Sequence, residues 1–226
     1  MLTRAEVQTS ESYIIGAMLA VVGGFLDAYS YLFRGHVFAN AQTGNIVLLG
    51  LNIEQHNYSK AFVYFAPICA FVAGVILVEF IKRRLKYNQK VHWRQGIVVI
   101  EIIGLLVVGF LKPGVYETFA NIVISFVCAM QVETFRKIHG HPFASTMCTG
   151  NLRSGTQALF EFFDTKNSKY KVKALKYYGI IFIFILGAVL GGFLITLMGQ
   201  YSIFVCCGIL LIVCGMMFQE SFGGGN

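Results

Sequence analysis

Charge is scarce in this sequence. Only 13% of its 226 residues are Asp, Glu, Lys or Arg, against about 25% in a soluble domain. Hydrophobic residues make up 56%, and mean hydropathy is +0.67. So little polar surface cannot cover a water-soluble globule, which excludes a soluble enzyme, a disordered region and a nucleic-acid partner. Proline is nearly missing (3 residues) while glycine is abundant (24), a balance that suits closely packed membrane helices. No polar stretch is long enough for an extramembrane domain; the longest are Lys82–Arg94 and Glu161–Lys176. The sequence also lacks a Gly-x-x-x-x-Gly-Lys-Ser/Thr phosphate loop, a His-Glu-x-x-His pair and a Gly-x-Ser-x-Gly turn. It therefore offers no basis for nucleotide hydrolysis or those hydrolase chemistries, and it implies no cofactor. The six cysteines (Cys69, Cys128, Cys148, Cys206, Cys207, Cys214) lie mostly in apolar segments without metal-ligand spacing. They read as small packing residues, and no metal is expected.

What the chain does have is long apolar runs without the period-two alternation of strands. Six segments approach the roughly 20 residues that cross a bilayer as helix: Tyr13–Phe33, Ala61–Ile81, Gly96–Leu111, Thr118–Phe135, Tyr177–Gly199 and Tyr201–Phe218. The first is no cleavable signal, because it runs into Asp27 without a cleavage site and follows Glu6 and Glu11. The whole chain, 1–226, reads as one integral membrane domain. Lys82, Arg83, Arg84, Lys86, Lys90 and Arg94 fill the link between spans two and three. Arg136, Lys137, Arg153 and five lysines from Lys166 to Lys176 fill that between spans four and five. The opposite side has Arg34, Lys60 and Lys112. Positive charge is retained in the cytoplasm, so both termini are expected there.

A polar motif occurs twice. Gly35-His36-Val37-Phe38-Ala39-Asn40-Ala41-Gln42-Thr43-Gly44-Asn45 follows span one, and Gly140-His141-Pro142-Phe143-Ala144-Ser145-Thr146-Met147-Cys148-Thr149-Gly150-Asn151 follows span four. With a one-residue gap, Gly, His, Phe, Ala and Thr-Gly-Asn coincide. The flanking helices agree: Ala20 and Gly24 align with Ser125 and Ala129, and Lys60, Tyr64 and Gly74 with Lys173, Tyr177 and Gly187. Two three-span units are implied, repeat 1 over about 13–112 and repeat 2 over about 116–219. Three is odd, so the second unit enters the membrane from the opposite face. Such inverted repeats are a common transporter architecture. The expected fold is all-α, with six transmembrane helices in two inverted three-helix repeats. Each repeat carries a polar re-entrant or broken-helix loop after its first helix.

Gly24-x-x-Asp27-Ala28-x-Ser30-Tyr31 followed by Phe38-Ala39-Asn40-x-Gln42-Thr43-Gly44-Asn45 resembles the first signature of the YoaK family of bacterial membrane proteins. Met130-Gln131 with Thr149-Gly150-Asn151 resembles the second. The resemblance covers nearly the whole chain. It implies a multi-pass protein of the bacterial inner membrane and supports six spans, but carries no activity or substrate.

The candidate site follows from the repeated loops. Asn40, Gln42, Thr43, Gly44 and Asn45 in the first, with Thr149, Gly150 and Asn151 in the second, are candidate substrate-binding residues. Thr and Asn are good helix caps, glycine permits close backbone approach, and a helix N-terminus attracts anions. The plain alternative is a pair of helix–helix turns. Asp27 inside span one is costly in lipid and should face the bundle, with Gly16, Ala20, Gly23, Gly24, Tyr31 and Arg34 on or beside its face. It would carry a coupling ion, position the first loop or lock a helix contact. Glu101 would be a protonatable relay or a hydrogen-bonded neutral group. His36 and His141 would handle protons or hold the loops. Glu79 and Glu133 should pair with Lys82, Arg83 or Arg136. The favoured reading is a secondary transporter of a small polar or anionic solute. The rivals are a structural or sensory subunit and a membrane-embedded enzyme using Asp27, His36 and His141. A homo-oligomer is possible, with Gly187 and Gly191 serving a subunit contact or internal packing.

Overall fold

The computed structural model describes residues 12–85, 93–138, 141–142 and 147–223. Residues 86–92 of the first basic link, both termini, and 139–140 and 143–146 of the second loop lie outside the described residues. The described residues contain eight α-helices. They are α1 (Tyr13–Phe33), α2 (Gln42–Glu54), α3 (Tyr58–Leu85), α4 (Trp93–Phe110), α5 (Glu117–Thr134), α6 (Cys148–Thr165), α7 (Ser168–Met198) and α8 (Phe204–Gly223). A two-residue antiparallel pairing, β1 (Lys137–Ile138) with β2 (His141–Pro142), lies between α5 and α6. A 3-10 turn, Gly199–Ile203, links α7 to α8. So short a link suggests that the last two helices pack as a tight antiparallel hairpin, but α8 packs on α4 and α1 instead of on α7.

Four stretches are long and apolar enough to cross a bilayer: Tyr13–Phe33, Tyr58–Leu85, Trp93–Phe110 and Ser168–Phe218. The last, at 51 residues, has more than twice the length one crossing needs. The chain is an all-helical membrane protein. At 13 residues, α2 reaches about 20 Å and falls short of a crossing. The expected span Thr118–Phe135 corresponds to α5, which is less apolar and presents Asn121, Ser125, Gln131 and Thr134 to the protein interior.

Local chemistry sets the helix ends. The Ser12 hydroxyl accepts from Ile15 N at 3.2 Å and starts α1. At the α2–α3 junction His56 adopts φ 55°, and Asn57 Oδ1 accepts from Lys60 N at 3.3 Å. At the α6–α7 junction Lys166 adopts φ 56°, and Asn167 Oδ1 accepts from Lys169 N at 3.0 Å. A left-handed residue followed by an asparagine cap thus serves both turns. Because of that cap, α7 begins at Ser168 rather than Tyr177; its lysine-rich first turns are good helix formers despite low hydropathy. The helices after the repeated loops begin at Gln42 and Cys148, and neither Ala41 nor Met147 makes a side-chain cap bond. Thr43 and Thr149 therefore sit within the first turn and do not cap. In the first loop the backbone does the work instead, with Gly44 N bonded to Ala41 O at 2.9 Å.

The bundle is built from two parallel pairs. α1 runs alongside α7: Tyr13 Oη donates to Lys176 O at 3.4 Å near their starts, and Tyr29 Oη donates to Gln200 O at 3.1 Å near their ends. α3 runs alongside α5, from Gly74 against Phe126 and Ala129 to Lys82 against Glu133. Gly187 and Gly74 leave no room for a Cβ, because the carbonyl oxygens of Val21 and Phe126 respectively occupy that space. Gly191 lies against Phe25 and Ala28, so the Gly187/Gly191 stripe packs internally. The pairs face each other antiparallel through α1 and α5: Gln131 Nε2 donates to Leu19 O at 3.3 Å, and Asn121 Nδ2 to Arg34 O at 2.5 Å. α4 and α8 cross antiparallel, tied by Gln95 Nε2 to Met217 O at 2.9 Å. α2 packs on α3, and α6 on α7. The outward faces of α3 and α7 are apolar, with Phe62, Phe65, Ile76 and Phe80 on one and Phe182, Val189, Phe193 and Leu197 on the other, as lipid contact requires.

These contacts place the start of α1, the ends of α3 and α5, the starts of α4 and α7 and the end of α8 at one end of the bundle. The described lysines and arginines of both basic links lie there. Lys82 pairs with Glu79 (2.7 Å) and Glu133 (3.7 Å), and Arg136 with Glu133 (3.1 Å), as expected.

Candidate functional site

On α1, residues Gly16, Ala20, Gly23, Asp27, Ser30 and Arg34 recur at alternating steps of four and three, which keeps them on one face. All six are buried. Tyr31 departs from the expected face: it is exposed and stacks on Phe38, ring centroids 4.7 Å apart.

The first loop is strapped back along this face. Asn40 N donates to Asp27 Oδ1 at 2.8 Å, Ala39 N to Ser30 Oγ at 3.2 Å, and Asn40 Nδ2 to Gly23 O at 3.1 Å. Gly23 stands ten residues before Phe33, the end of α1, so the loop descends about 15 Å along the helix. Of the three roles expected for Asp27, loop positioning is the one these bonds serve. Asn45 completes the strap. Its Oδ1 accepts from Phe38 N (3.0 Å), and its Nδ2 donates to Phe38 O (2.6 Å) and Gln42 Oε1 (2.9 Å). Gln42 Nε2 donates to Ala39 O at 2.9 Å. The hydrogen-bonding groups of Asn45 and Gln42 are thus spent on their own loop.

Opposite stands a polar face of α5. Asn121, Ser125 and Cys128 follow spacings of four and three, with Gln131 one turn further. Cys128 is buried on the same face. Glu101 is 0% exposed, flanked on α4 by the buried Val98, Ile102 and Leu105. Among the described residues, neither of its carboxyl oxygens has a hydrogen-bond partner, and Asn40 Oδ1, Asn121 Oδ1, Gln131 Oε1, Ser125 Oγ and Thr134 Oγ1 are likewise buried without one. Buried polar groups are nearly always paired, so these oxygens, most of them on α5, stand out.

Arg34 closes the seam at the end away from the basic links. It is 0% exposed and pairs with Glu117 Oε2 at 3.3 Å. It donates to Tyr29 Oη (3.0 Å), Val108 O (3.0 Å) and Leu111 O (3.1 Å).

The candidate residues therefore divide. Asp27 and Asn40 are joined along α1, whereas Glu101 is buried on α4. Asn45 and Asn151 are buried, whereas Thr43, Thr149 and Gly150 are exposed. His36 is exposed in the turn after α1, with φ 61° and its ring edge-on to Tyr31. The His141 backbone pairs with Ile138, and its side chain lies outside the described residues. Gln131 and Ser125 were noted from sequence only as signature and repeat positions, and neither Asn121 nor the bonding role of Arg34 was singled out. The spacing Asn121–Ser125–Cys128 carried the signal, but it resembles ordinary interhelical polar packing. A groove of 380 Å³ between α6 and α7, lined by Ser154, Gln157, Glu161, Tyr170 and Lys173 among others, is separate from the seam.

The comparisons with known proteins agree with the expected family. The chain is 26% identical over 144 residues to UPF0700 transmembrane protein YoaK of Bacillus subtilis (strain 168). The match covers 61% of this chain and 63% of that protein's length. No solved structure matches. The family model described as "Protein of unknown function (DUF1275)" matches residues 15–216, nearly all of the helical bundle, and the chain belongs to that family.

Proposed function

We propose that this protein is a secondary transporter of a small polar solute in the bacterial inner membrane, with both termini cytoplasmic, working by alternating access between two inverted halves, α1–α4 and α5–α8. Each half would cross the membrane three times, with α2 and α6 entering from one face and returning to it. The packing pattern supports this. Exchanging α1 with α5, α2 with α6, α3 with α7 and α4 with α8 turns α1·α7 into α3·α5, α2·α3 into α6·α7 and α4·α5 into α1·α8, and returns α4·α8 and α1·α5 to themselves. Equivalent positions are buried alike: Asn45 and Asn151, Ala61 and Ala174, Tyr64 and Tyr177. A twofold axis in the membrane plane gives a transporter two access states of similar energy.

The observation that carries the reading is the set of buried oxygens unpartnered among the described residues, most of them on α5. Polar groups inside a membrane bundle are costly and mark solute or ion paths. The anionic branch of the sequence reading has less support, because the one buried cation at the seam, Arg34, is already engaged by Glu117, Tyr29 and two carbonyls. The test is uptake into proteoliposomes across a panel of amino acids, nucleobases, amines, polyols and small organic acids. Saturable uptake of one class is expected, with net driven uptake collapsing in Asp27→Asn while exchange survives. No uptake above empty liposomes across the panel overturns the proposal. That outcome would favour a structural or sensory subunit, for which the self-satisfied Asn45 loop is the supporting observation.

A further inference from the structure

The groove between α6 and α7, 380 Å³ in volume, brings side chains of both helices to one place. Ser154, Gln157, Ala158 and Glu161 line it from α6, and Tyr170, Lys173 and Tyr177 from α7. Within each set the spacings are those of one helix face. The two helices meet closely at Gly155, where an added Cβ would stand 3.0 Å from Tyr177 Cβ. Most of the lining lies between that contact and the turn that joins the helices at Lys166. The matching stretch of α2 carries bulkier side chains. Counting from the repeated asparagines Asn45 and Asn151, Leu48 stands where α6 has Ser154, and Asn52 where it has Ala158. Both exchanges remove volume from α6, while Gln157 and Glu161 replace Leu51 and Gln55. The second copy of the repeat is thus hollowed and made polar at these positions.

Glu161 and Lys173 stand on opposite walls of the groove at nearly the same level. Glu161 precedes the end of α6 by four residues, and Lys173 follows the start of α7 by five. Among the described residues neither forms an ion pair, with the other or with any other group. Lys166 and Lys171 lie over the rings of Phe163 and Phe162, but Lys173 has no such contact among the described residues. Opposite charges held apart across a hollow suit a ligand that carries both. An ammonium can donate to Glu161, and a phosphate can accept from Lys173 and the Tyr170 hydroxyl. The two charges lie about 6–8 Å in from the end of the helical hairpin, a depth comparable to the headgroup layer of a bilayer. Phe160 and Phe163 near Glu161, and Val172 and Leu175 near Lys173, are exposed and offer acyl chains a surface.

We propose that the α6–α7 groove binds a phosphate ester bearing a primary amine, as in the headgroup of an ethanolamine phospholipid, with Glu161 holding the ammonium and Lys173 the phosphate. The groove is separate from the interface of α1 and α5, so the proposal stands apart from solute transport.

The full chain is melted in phosphatidylcholine nanodiscs in which phosphatidylethanolamine, or in parallel phosphatidylglycerol, replaces a growing share of the lipid. Phosphatidylcholine is the reference because its quaternary ammonium has no N–H to donate to Glu161. Phosphatidylethanolamine should raise the melting temperature saturably. Phosphatidylglycerol, which lacks the ammonium, should not. Glu161→Gln and Lys173→Gln should each abolish the rise while leaving the melting temperature in phosphatidylcholine unchanged. Ser154→Leu places the α2 residue in the hollow and should abolish the rise with both charges retained. It keeps the proposal testable if a charge variant does not fold. Soluble phosphoethanolamine added to phosphatidylcholine nanodiscs is the second arm: a rise there, with none from phosphatidylethanolamine, supports the site and assigns it to the free zwitterion. No rise in either arm, an equal rise with phosphatidylglycerol, or a rise that persists in all three variants overturns the site.

Discussion

Asp27 and Asn45 hold the first loop by complementary means. The aspartate receives the Asn40 amide, and the asparagine brackets Phe38 by accepting from its N–H and donating to its carbonyl. Asn45→Ala strands both backbone groups of Phe38 in a half-buried loop and should lower stability by about 2 kcal/mol. Thermal unfolding in detergent checks this. Thr43→Ala, at an exposed first-turn position, should stay within about 0.5 kcal/mol of the parent. Asp27→Ala should cost about 1–3 kcal/mol, whereas Asp27→Asn retains an oxygen for the Asn40 amide and should cost less. At this scale the sequence revealed which residues mattered better than it revealed what they do. Asp27 stood out because a carboxylate inside an apolar span demands a partner. Thr-Gly-Asn stood out because it occurs twice. Neither fact could say that Asn45 faces its own loop while Asn40, five residues earlier, reaches α1, because both are tertiary hydrogen bonds.

Helices α1 and α5 form the inside of the bundle, and α3 and α7 clamp them at glycine contacts. Gly187→Leu and Gly74→Leu each push a side chain into a helix backbone and should destabilise by similar amounts, about 2–4 kcal/mol. Chemical denaturation in mixed micelles checks both, and equal effects would match the equivalence of α3 and α7. Arg34 joins α1 to α4 and α5 at the opposite end from the basic links. Arg34→Ala leaves Glu117, Tyr29 and two carbonyls without a partner and should cost about 3–5 kcal/mol. Six of the eight helices were legible from hydropathy, apart from their polar ends, while α2 and α6 were foreshadowed only by the polar loops that open them. The lysine-rich start of α7 read as a link because its side chains are charged, yet an asparagine cap and strong helix formers extend the helix through it. The spacing from Asp27 put Arg34 on the inward face, but its pairing with Glu117, Tyr29 and two carbonyls is tertiary and was not legible.

The whole molecule gathers its described basic links at one end, and the start of α1 and the end of α8 lie there too. In a background without native cysteines, Asn88→Cys in the first basic link should resist an impermeant thiol reagent added outside intact cells. Val115→Cys, in the exposed α4–α5 turn, should react; the opposite pattern would reverse the proposed orientation. Alternating access makes a stricter demand on the interior. Ser125 is fully buried on α5, between the Asn121 and Gln131 positions that bond to α1, so under alternating access it meets water only when the two halves part, first toward one face and then toward the other. The most direct measurement is therefore labelling of Ser125→Cys by small impermeant thiol reagents in oriented vesicles, applied from either side. The account calls for slow labelling from both sides, shifted toward one side when a bound solute favours one state. A cysteine at 125 that stays unlabelled from both faces, while Val115→Cys in the same vesicles reacts from its own face, would contradict it.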